Sequence, residues 1–331
     1  MLWSGEMREP KAGMSLPQTV CNEPAVAAST LVFTEGPVVD ANGSVYFSDI
    51  LNNRILRRAP DGAVQVFRQP SRRTNGQTFD RQGRLLHCEG AEFGEGGGRR
   101  ITRTNLQTGK YEILTDRTER SDGRTVRYNS PNDICVDGRD RIYFTDPCYG
   151  DRSRMEMDIE GVYRIDPSGR VTRILAQPAI QRPNGIAVTQ DGRTLYVVDS
   201  CPVPGGNRKI WAFDLDDAGN ASGQRLVYDF APGRGGDGMR LDVEGNLYVA
   251  AGVLTPRGLH ETADVPPGVY VITPHGELLG RIPVYEDLIT NCAFGGADGC
   301  DLYITAGKTL YRTRVKKPGQ VAFPAWKPAP S

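Results

Sequence analysis

The hydrophobic positions of this chain fall in short runs, separated by turn sequences that contain glycine. The clearest runs combine β-branched and aromatic residues, which are typical of short strands. They lie at residues 45–47, 142–145, 195–198 and 247–249. The turns Asn42-Gly43, Gln82-Gly83, Asp191-Gly192 and Glu244-Gly245 suit tight hairpins, whose backbone needs a positive φ. The pattern therefore predicts many short antiparallel strands.

These runs belong to a repeat that occurs six times, each copy opening on a polar residue that we call the anchor. The anchors are Glu35, Asn75, Asn132, Asn184, Asp237 and Asn291. From the anchor to the end of the second predicted strand is 14 positions in four copies and 15 in the other two. Such constant spacing indicates one structural unit used six times.

Each repeat contains two further strand-like segments after the first pair. The clearest are 54–57 with 64–67, 162–165 with 171–175, and 269–272 with 278–282. Four strands in the 40 to 57 residues that separate successive anchors are typical of a β-propeller blade. The sequence thus predicts an all-β fold, a six-bladed β-propeller, in a single domain that spans residues 1–331.

The ends of the chain determine how such a ring would close. The repeat region covers about residues 31–315, and the last repeat ends only 24 residues after its anchor. We therefore expect an N-terminal strand within 20–32 to complete the sixth blade, because an unpaired strand edge invites aggregation. Residues 316–331 contain four prolines and are expected to form an extended surface segment.

Composition excludes several classes of function. The 331 residues include 40 basic and 40 acidic side chains, so no basic field attracts nucleic acid. No apolar run approaches the ~20 residues of a membrane span, and no secretory signal is evident. The seven cysteines form no C-x-x-C pair, which favours a reducing compartment. We expect a cytoplasmic protein with no nucleic-acid or membrane partner, and leave its oligomeric state open.

The anchors are the candidate functional residues. In a propeller the first strand of each blade lines the central channel, so six anchors would face a common axis, and all six carry side-chain oxygens. Two carboxylates among neutral amides suit a hard divalent cation and would balance its charge. Ca²⁺ is the first choice, and Mg²⁺, Mn²⁺ or Zn²⁺ would also fit. The alternative is that each anchor is an ordinary turn residue.

Other candidate sites are weaker. The three histidines, His87, His260 and His275, lie away from the anchors, which disfavours a Ser-His-Asp triad or an imidazole zinc site. The glycine-rich run 90–98 lacks the helix and the Lys-Ser/Thr pair of a phosphate loop, and is expected to be a mobile loop at the channel mouth. At its base, Arg100 would either contact an anionic substrate or product, or pair with a nearby acid.

Four motifs in combination resemble the SMP-30/gluconolactonase family, six-bladed propellers that hydrolyse sugar lactones. They are Thr34-Glu35-Gly36-Pro37, Ser130-Pro131-Asn132-Asp133, Arg182-Pro183-Asn184-Gly185 and Gly236-Asp237-Gly238. The resemblance implies that Glu35, Asn184 and Asp237 hold a divalent ion, with Asn132 as a further ligand or a substrate contact. Ser130 and Gly150 depart from the family, since mammalian members have an arginine and an acidic substrate contact near these places.

The expected function is therefore metal-dependent opening of a sugar lactone such as gluconolactone. The ion would polarise the carbonyl, Asp237 (or else Glu35) would assist the attacking water, and Asn75 and Asn132 would bind substrate. Two alternatives stay open: hydrolysis of another ester or a phosphotriester at the same site, and a non-enzymatic binding propeller whose metal is structural.

Overall fold

The structure, a computed structural model, describes residues 32–256 and 261–323. Apart from the single-turn 3₁₀ helix Arg152–Arg154, the regular elements of these residues are all β-strands. They form six sheets in chain order, five of four strands and one of three, together with a separate two-stranded hairpin. The prediction of an all-β, six-bladed propeller is confirmed.

In each blade the strands lie side by side in the order in which they occur in the chain. Blade 1 contains β1 (Thr34–Val39), β2 (Val45–Asp49), β3 (Arg54–Arg58) and β4 (Val64–Arg68). Blade 2 contains β5 (Thr74–Phe79), β6 (Leu85–Glu89), β7 (Arg100–Thr104) and β8 (Tyr111–Thr115). The hairpin β9 (Arg117–Glu119) and β10 (Thr125–Arg127) follows. Blade 3 contains β11 (Ile134–Val136), β12 (Ile142–Asp146), β13 (Gly161–Ile165) and β14 (Val171–Ala176).

The second half of the ring continues the same order. Blade 4 contains β15 (Pro183–Val188), β16 (Thr194–Ser200), β17 (Arg208–Leu215) and β18 (Ala221–Asp229). Blade 5 contains β19 (Gly236–Leu241), β20 (Leu247–Ala251), β21 (Gly268–Ile272) and β22 (Leu278–Pro283). Blade 6 contains β23 (Ile289–Gly295), β24 (Asp301–Ala306) and β25 (Thr309–Arg314).

The hydrophobic core is divided among the contacts between neighbouring blades. Six clusters of buried side chains occur, one at each interface. The cluster that joins blade 6 to blade 1 contains Val39, Val45, Ala293 and Tyr303. The Thr34 amide of blade 1 also donates to the Gly307 carbonyl beside blade 6, at 2.8 Å. Packing therefore continues around the whole ring.

The predicted strands match the observed ones closely, and the turn glycines Gly43, Gly83, Gly192 and Gly245 have the expected positive φ. The hairpin of β9 and β10 was not predicted, because its three-residue strands carry few apolar residues. The closing strand expected within 20–32 lies outside the described residues, apart from Val32, which is not in a strand. No helix in 32–256 or 261–323 is long and apolar enough to cross a membrane.

The described part of the C-terminal tail, residues 316–323, packs against several blades. The Gln320 amide donates to the Leu241 carbonyl, and its side chain donates to the Val188 carbonyl, both at 2.8 Å. The Phe323 ring lies 6.0 Å from that of Phe79. Val188, Phe79 and Leu241 end the first strands of their blades, so the tail covers the end of the channel opposite the anchors.

Candidate active site in the propeller channel

The first strands share an irregularity directly beside the anchor. The pairing of first and second strand shifts register between Glu35 and Val38 in blade 1. The equivalent shifts flank the anchors of blades 2, 4 and 5, at Thr74/Gln77, Pro183/Ile186 and Gly236/Met239. A bulge bends a strand and re-aims a side chain. The constant anchor spacing in the sequence thus corresponds to a bulge that sets the anchor apart from the regular ladder.

All six anchors are at least nine-tenths buried, and those of neighbouring blades touch through their backbones. A Cβ on Gly36 would lie 2.2 Å from the Asn75 carbonyl oxygen, and one on Gly185 would lie 2.2 Å from that of Asp237. Glycine after the anchor therefore lets the next anchor's backbone approach. The Ser48 hydroxyl of β2 then donates to the same Asn75 carbonyl at 2.7 Å.

Glu35 lies in a site that disfavours its charge. Burial raises the pKa of its carboxyl well above the usual range, and the nearby carboxylates of Asp237 and Asp133 raise it further. The Asn291 side-chain amide donates to Glu35 Oε2 at 3.2 Å, and its own oxygen accepts from the Cys292 amide. Asn291 thus holds Glu35, while the backbone amide of Cys292 engages the Asn291 side-chain oxygen.

Asn184 is oriented by Tyr149, which follows β12. Its amide nitrogen donates to the Tyr149 hydroxyl at 3.2 Å, and that hydroxyl lies 3.0 Å from the Ser200 carbonyl, to which it donates. Within 32–256 and 261–323, the buried Asn184 Oδ1 atom has no hydrogen-bond partner, and the same holds for Oδ1 of Asn75. Leaving a buried acceptor unsatisfied costs about 1–3 kcal/mol, so these oxygens are suited to a ligand.

Asp237 is paired with a cation from its own blade. Its Oδ2 forms a close ion pair with the guanidinium of Arg234, three residues earlier in the chain. Arg234 also donates to the Ile289 carbonyl at 3.0 Å, which fixes it between blades 5 and 6. The guanidinium of Arg234 thus offsets the charge of Asp237. Among these contacts Glu35 has no cationic partner.

The donor set fits a divalent cation. Two buried amide oxygens lack partners, and Glu35 and Asp237 lie close enough to raise the pKa of Glu35. A bound divalent ion would relieve both conditions, since it takes oxygen ligands and offsets like charges. In the described ranges no three His, Cys, Asp or Glu side chains group around one point. The expected metal ligands combine two carboxylates with amide oxygens, so they contain fewer than three such side chains.

A second charged pair lies deeper in the channel. Asp133 stands at a position where four other repeats have glycine, and its carboxylate pairs with Arg240 of β19 at 3.1 Å. Both side chains are largely buried. Arg240 also donates to the Gln77 carbonyl at 3.3 Å. This pair connects blades 2, 3 and 5 beneath the anchors.

The remaining predicted substrate residues differ in their surroundings. Asn132 is 4% exposed and precedes β11, and its backbone amide donates to the Thr145 carbonyl at 2.9 Å. Arg100 begins β7, where its guanidinium binds Glu89 at 2.6 Å and the Tyr111 hydroxyl at 2.8 Å. These contacts engage Arg100 within its own blade, and its part in substrate binding stays a prediction.

Sequence reasoning missed Tyr149, Arg234 and Asp133 as members of this site. Asp133 carried a usable signal, because a carboxylate replaces the repeated glycine after the anchor. Tyr149 and Arg234 lie outside the strands, in connecting segments where the repeat imposes no spacing. Only the folded chain brings them to the anchors.

The fold and the site together define a six-bladed propeller whose channel holds a cluster of buried oxygen-bearing side chains. Residues 33–308 match the SMP-30/Gluconolactonase/LRE-like region, and the chain belongs to this family. A gluconolactonase of Zymomonas mobilis is 31% identical over 318 residues, covering 88% of this chain and 81% of that protein. A pentonolactonase of Haloferax volcanii is 25% identical over 282 residues, covering 82% and 80%.

Solved structures agree with this assignment. A gluconolactonase from Xanthomonas campestris superimposes with a TM-score of 0.69 at 31% identity, covering 88% of this chain and 87% of that one. A calcium-binding regucalcin from Agrobacterium tumefaciens has a TM-score of 0.66 at 20% identity, covering 91% and 94%. Because the identity to the regucalcin is only 20%, this similarity supports the fold alone.

Proposed function

We propose that this chain hydrolyses a sugar lactone such as gluconolactone at the channel site, with one divalent ion held by Glu35, Asn132, Asn184 and Asp237. The chain is a lactonase, in keeping with its gluconolactonase and pentonolactonase relatives. The observation that carries the metal site is the buried Asn184 oxygen, which has no partner in the described structure, together with the carboxylates of Glu35 and Asp237. Ca²⁺ is the proposed ion, with Mg²⁺, Mn²⁺ or Zn²⁺ as alternatives.

When bound, such an ion supplies a Lewis acid that polarises the lactone carbonyl and stabilises negative charge on its oxygen. Four protein oxygens leave positions open, because Ca²⁺ takes six to eight ligands. Tyr149 contributes by holding the Asn184 amide so that Oδ1 faces away from the hydroxyl. Asn291 holds the Glu35 carboxyl in a similar way, because its side-chain amide donates to Glu35 Oε2.

Asp237 is the proposed general base. Its carboxylate would orient the attacking water and accept one proton as the water oxygen bonds to the carbonyl carbon. The ring C–O bond then breaks, and the leaving alkoxide takes up a proton, so that lactone and water give one hydroxy acid. Arg234, which pairs with Asp237, holds the carboxylate in place and offsets its charge.

Asn75 and Asn132 are the proposed contacts to substrate oxygens. The Asn75 Oδ1 atom is a buried acceptor that a substrate hydroxyl could satisfy. The substrate is proposed to enter at the anchor end, since residues 320–323 line the cavity at the other end of the channel. The cytoplasm is the proposed location, because the six described cysteines are all free.

The test is a pH-stat assay of acid release from δ-gluconolactone, corrected for spontaneous opening, with Asp237→Asn as the variant. Loss of a general base predicts a fall in kcat of roughly 10²–10⁴-fold, with the fold retained by circular dichroism. Asp214→Asn is the matched control, since Asp214 is exposed and pairs only with Arg225 among the contacts described. That control should keep wild-type turnover.

Parallel assays with a simple aryl ester and a phosphotriester separate the alternatives. Turnover of the phosphotriester in place of the lactone would overturn the proposal, and so would wild-type rates in Asp237→Asn. A chain that turns over none of these substrates, yet gains thermal stability from Ca²⁺, would be a binding propeller with a structural ion.

A further inference from the structure

The glycine-rich segment 90–98, between β6 and β7, is a folded loop fastened at its base. The Gly90 and Gly98 amides donate to the carbonyls of Arg73 and Arg72, at 3.0 and 2.9 Å. The Ala91 amide donates to the Ser130 hydroxyl at 2.9 Å, which joins the loop to the segment that carries Asn132. These bonds fix where residue 92 lies.

Further along the loop, its tip is also in contact with the rest of the protein. The ring of Phe93 lies 5.1 Å from that of Phe33, and the Glu95 carbonyl accepts from Arg73 Nε at 3.2 Å. The loop thus spans from blade 1 to blade 3 and covers part of the anchor end of the channel.

Glu92 lies on the inner side of this loop. Its Cα and Cγ atoms are 3.8 and 3.9 Å from the point that a Cβ on Gly150 would occupy. Gly150 follows Tyr149, whose hydroxyl binds the Asn184 amide. Burial, and after it the charge of the Asp237 carboxylate, raises the pKa of the Glu92 carboxyl to about 7. Glu92 is therefore a further acidic side chain near the anchors, in addition to Glu35, Asp237 and Asp133.

One oxygen of this side chain is unsatisfied. Glu92 Oε1 is buried and has no hydrogen-bond partner in the described structure. A buried acceptor without a partner is costly, and a carboxylate is a strong acceptor for hydroxyl groups. A polyhydroxylated ring is rich in such donors, whereas an unsubstituted lactone ring offers none.

We propose that Glu92 is a specificity-determining residue, whose Oε1 accepts a hydrogen bond from a ring hydroxyl of the lactone bound at the anchors. This inference rests on the proposed lactone hydrolysis and adds a residue that recognises the hydroxyl groups of the sugar ring. It also explains why the loop is held rigidly at its base: a specificity contact must be placed within a fraction of an ångström.

The experiment compares two lactones of the same ring size, δ-gluconolactone and δ-valerolactone, which has no hydroxyl groups. The variants are Glu92→Ala and Glu92→Gln, with Glu95→Ala as the matched control, because Glu95 is an exposed acid in the same loop. The readouts are kcat and KM from pH-stat assays. The inhibition constant of δ-valerolactone reports its binding even where turnover is slow, and thermal melts check the fold.

In assays above pH 7, where the Glu92 carboxyl is ionised, loss of the hydrogen bond to this charged acceptor predicts a fall of about 10- to 100-fold in kcat/KM for gluconolactone in Glu92→Ala, mainly through KM. Glu92→Gln, which keeps a neutral acceptor, should fall less. The values for δ-valerolactone should change less than about twofold. Glu95→Ala should match the wild type on both lactones.

Equal losses on the two lactones, or a Glu92→Ala variant indistinguishable from Glu95→Ala on gluconolactone, would overturn the role of Glu92 and leave the proposed hydrolysis intact. A wild-type chain that opens neither lactone would overturn the proposed function itself. The two failures are therefore distinguishable.

Discussion

The side-chain amide of Asn184 donates to the hydroxyl of Tyr149 across 3.2 Å, and Tyr149 in turn binds the backbone of blade 4. Because the amide nitrogen is engaged, the Asn184 oxygen is the atom left for a ligand. An anchor of blade 4 is thus oriented by a residue that follows blade 3. The site is set by contacts between blades as well as by the strand on which each anchor lies.

Tyr149→Phe should therefore weaken metal binding without unfolding the chain. The variant leaves the Asn184 amide without its acceptor, and loss of such an orienting contact costs about 10- to 100-fold in metal affinity. Isothermal titration of Ca²⁺ into metal-stripped protein measures the effect. Tyr285→Phe, at an exposed tyrosine, is the control. Unchanged affinity in Tyr149→Phe would show that Asn184 needs no such support.

Gly185→Ala should damage both stability and activity. A Cβ there would lie 2.2 Å from the Asp237 carbonyl oxygen, so the backbones of two anchors must move apart. Overpacking of this kind costs about 1–3 kcal/mol in the free energy of unfolding, and occasionally more. Chemical denaturation and lactone hydrolysis are the measurements. Gly280→Ala is the matched control, since a Cβ at Gly280 meets nothing within 4 Å. Equal stability of the two variants would contradict the close approach.

His87 should remain neutral well below pH 6.5. Its ring is buried between the Gln77 side-chain oxygen at 3.0 Å and the Thr104 hydroxyl at 3.1 Å. Burial lowers its pKa well below the usual value, and the charge of Arg68 lowers it further. Since Gln77 donates its amide to the Gly36 carbonyl, its oxygen faces His87, so Nδ1 carries the proton. NMR of histidine-labelled protein tests the tautomer and the titration.

The depressed pKa of His87 has a consequence for stability. Below about pH 6.5 this histidine binds a proton in the unfolded chain but not in the native chain. The free energy of unfolding therefore falls as the pH falls below that value. Relative to a His87→Gln variant, the wild type should lose about 1.4 kcal/mol in the free energy of unfolding between pH 7.5 and 5.5. A difference that stays constant over this range, in urea titrations, would contradict the neutral buried ring.

The blade architecture was predictable because the repeat spacing has a direct structural cause. The interval of 14 positions between Glu35 and Asp49 corresponds to an antiparallel pair in which Thr34 faces Asp49, with a bulge after the anchor. Short strands, turn glycines and bulges are local features, and each leaves its own pattern in the sequence. Six copies of that pattern define the ring.

The environment of the anchors could not be predicted in the same way. Arg234, Tyr149 and Glu92 all lie in connections, where side chains reach the channel through the path of the backbone and no period applies. The orientation of Asn291 also depends on a tertiary contact, since its amide binds Glu35 of the first blade, 256 positions earlier in the chain. The sequence predicts the anchors as candidate ligands, and the side chains that contact them are evident only in the folded chain.

The most direct test of the account is metal reconstitution of the chelator-stripped protein, followed by the rate of δ-gluconolactone opening in the pH-stat. We expect the stripped chain to be inactive and its activity to rise with added Ca²⁺ until one ion is bound per chain. The Glu35→Gln and Asp237→Asn variants should fail to bind that ion tightly. Full lactone hydrolysis by the stripped wild-type chain, with no metal present, would contradict the account.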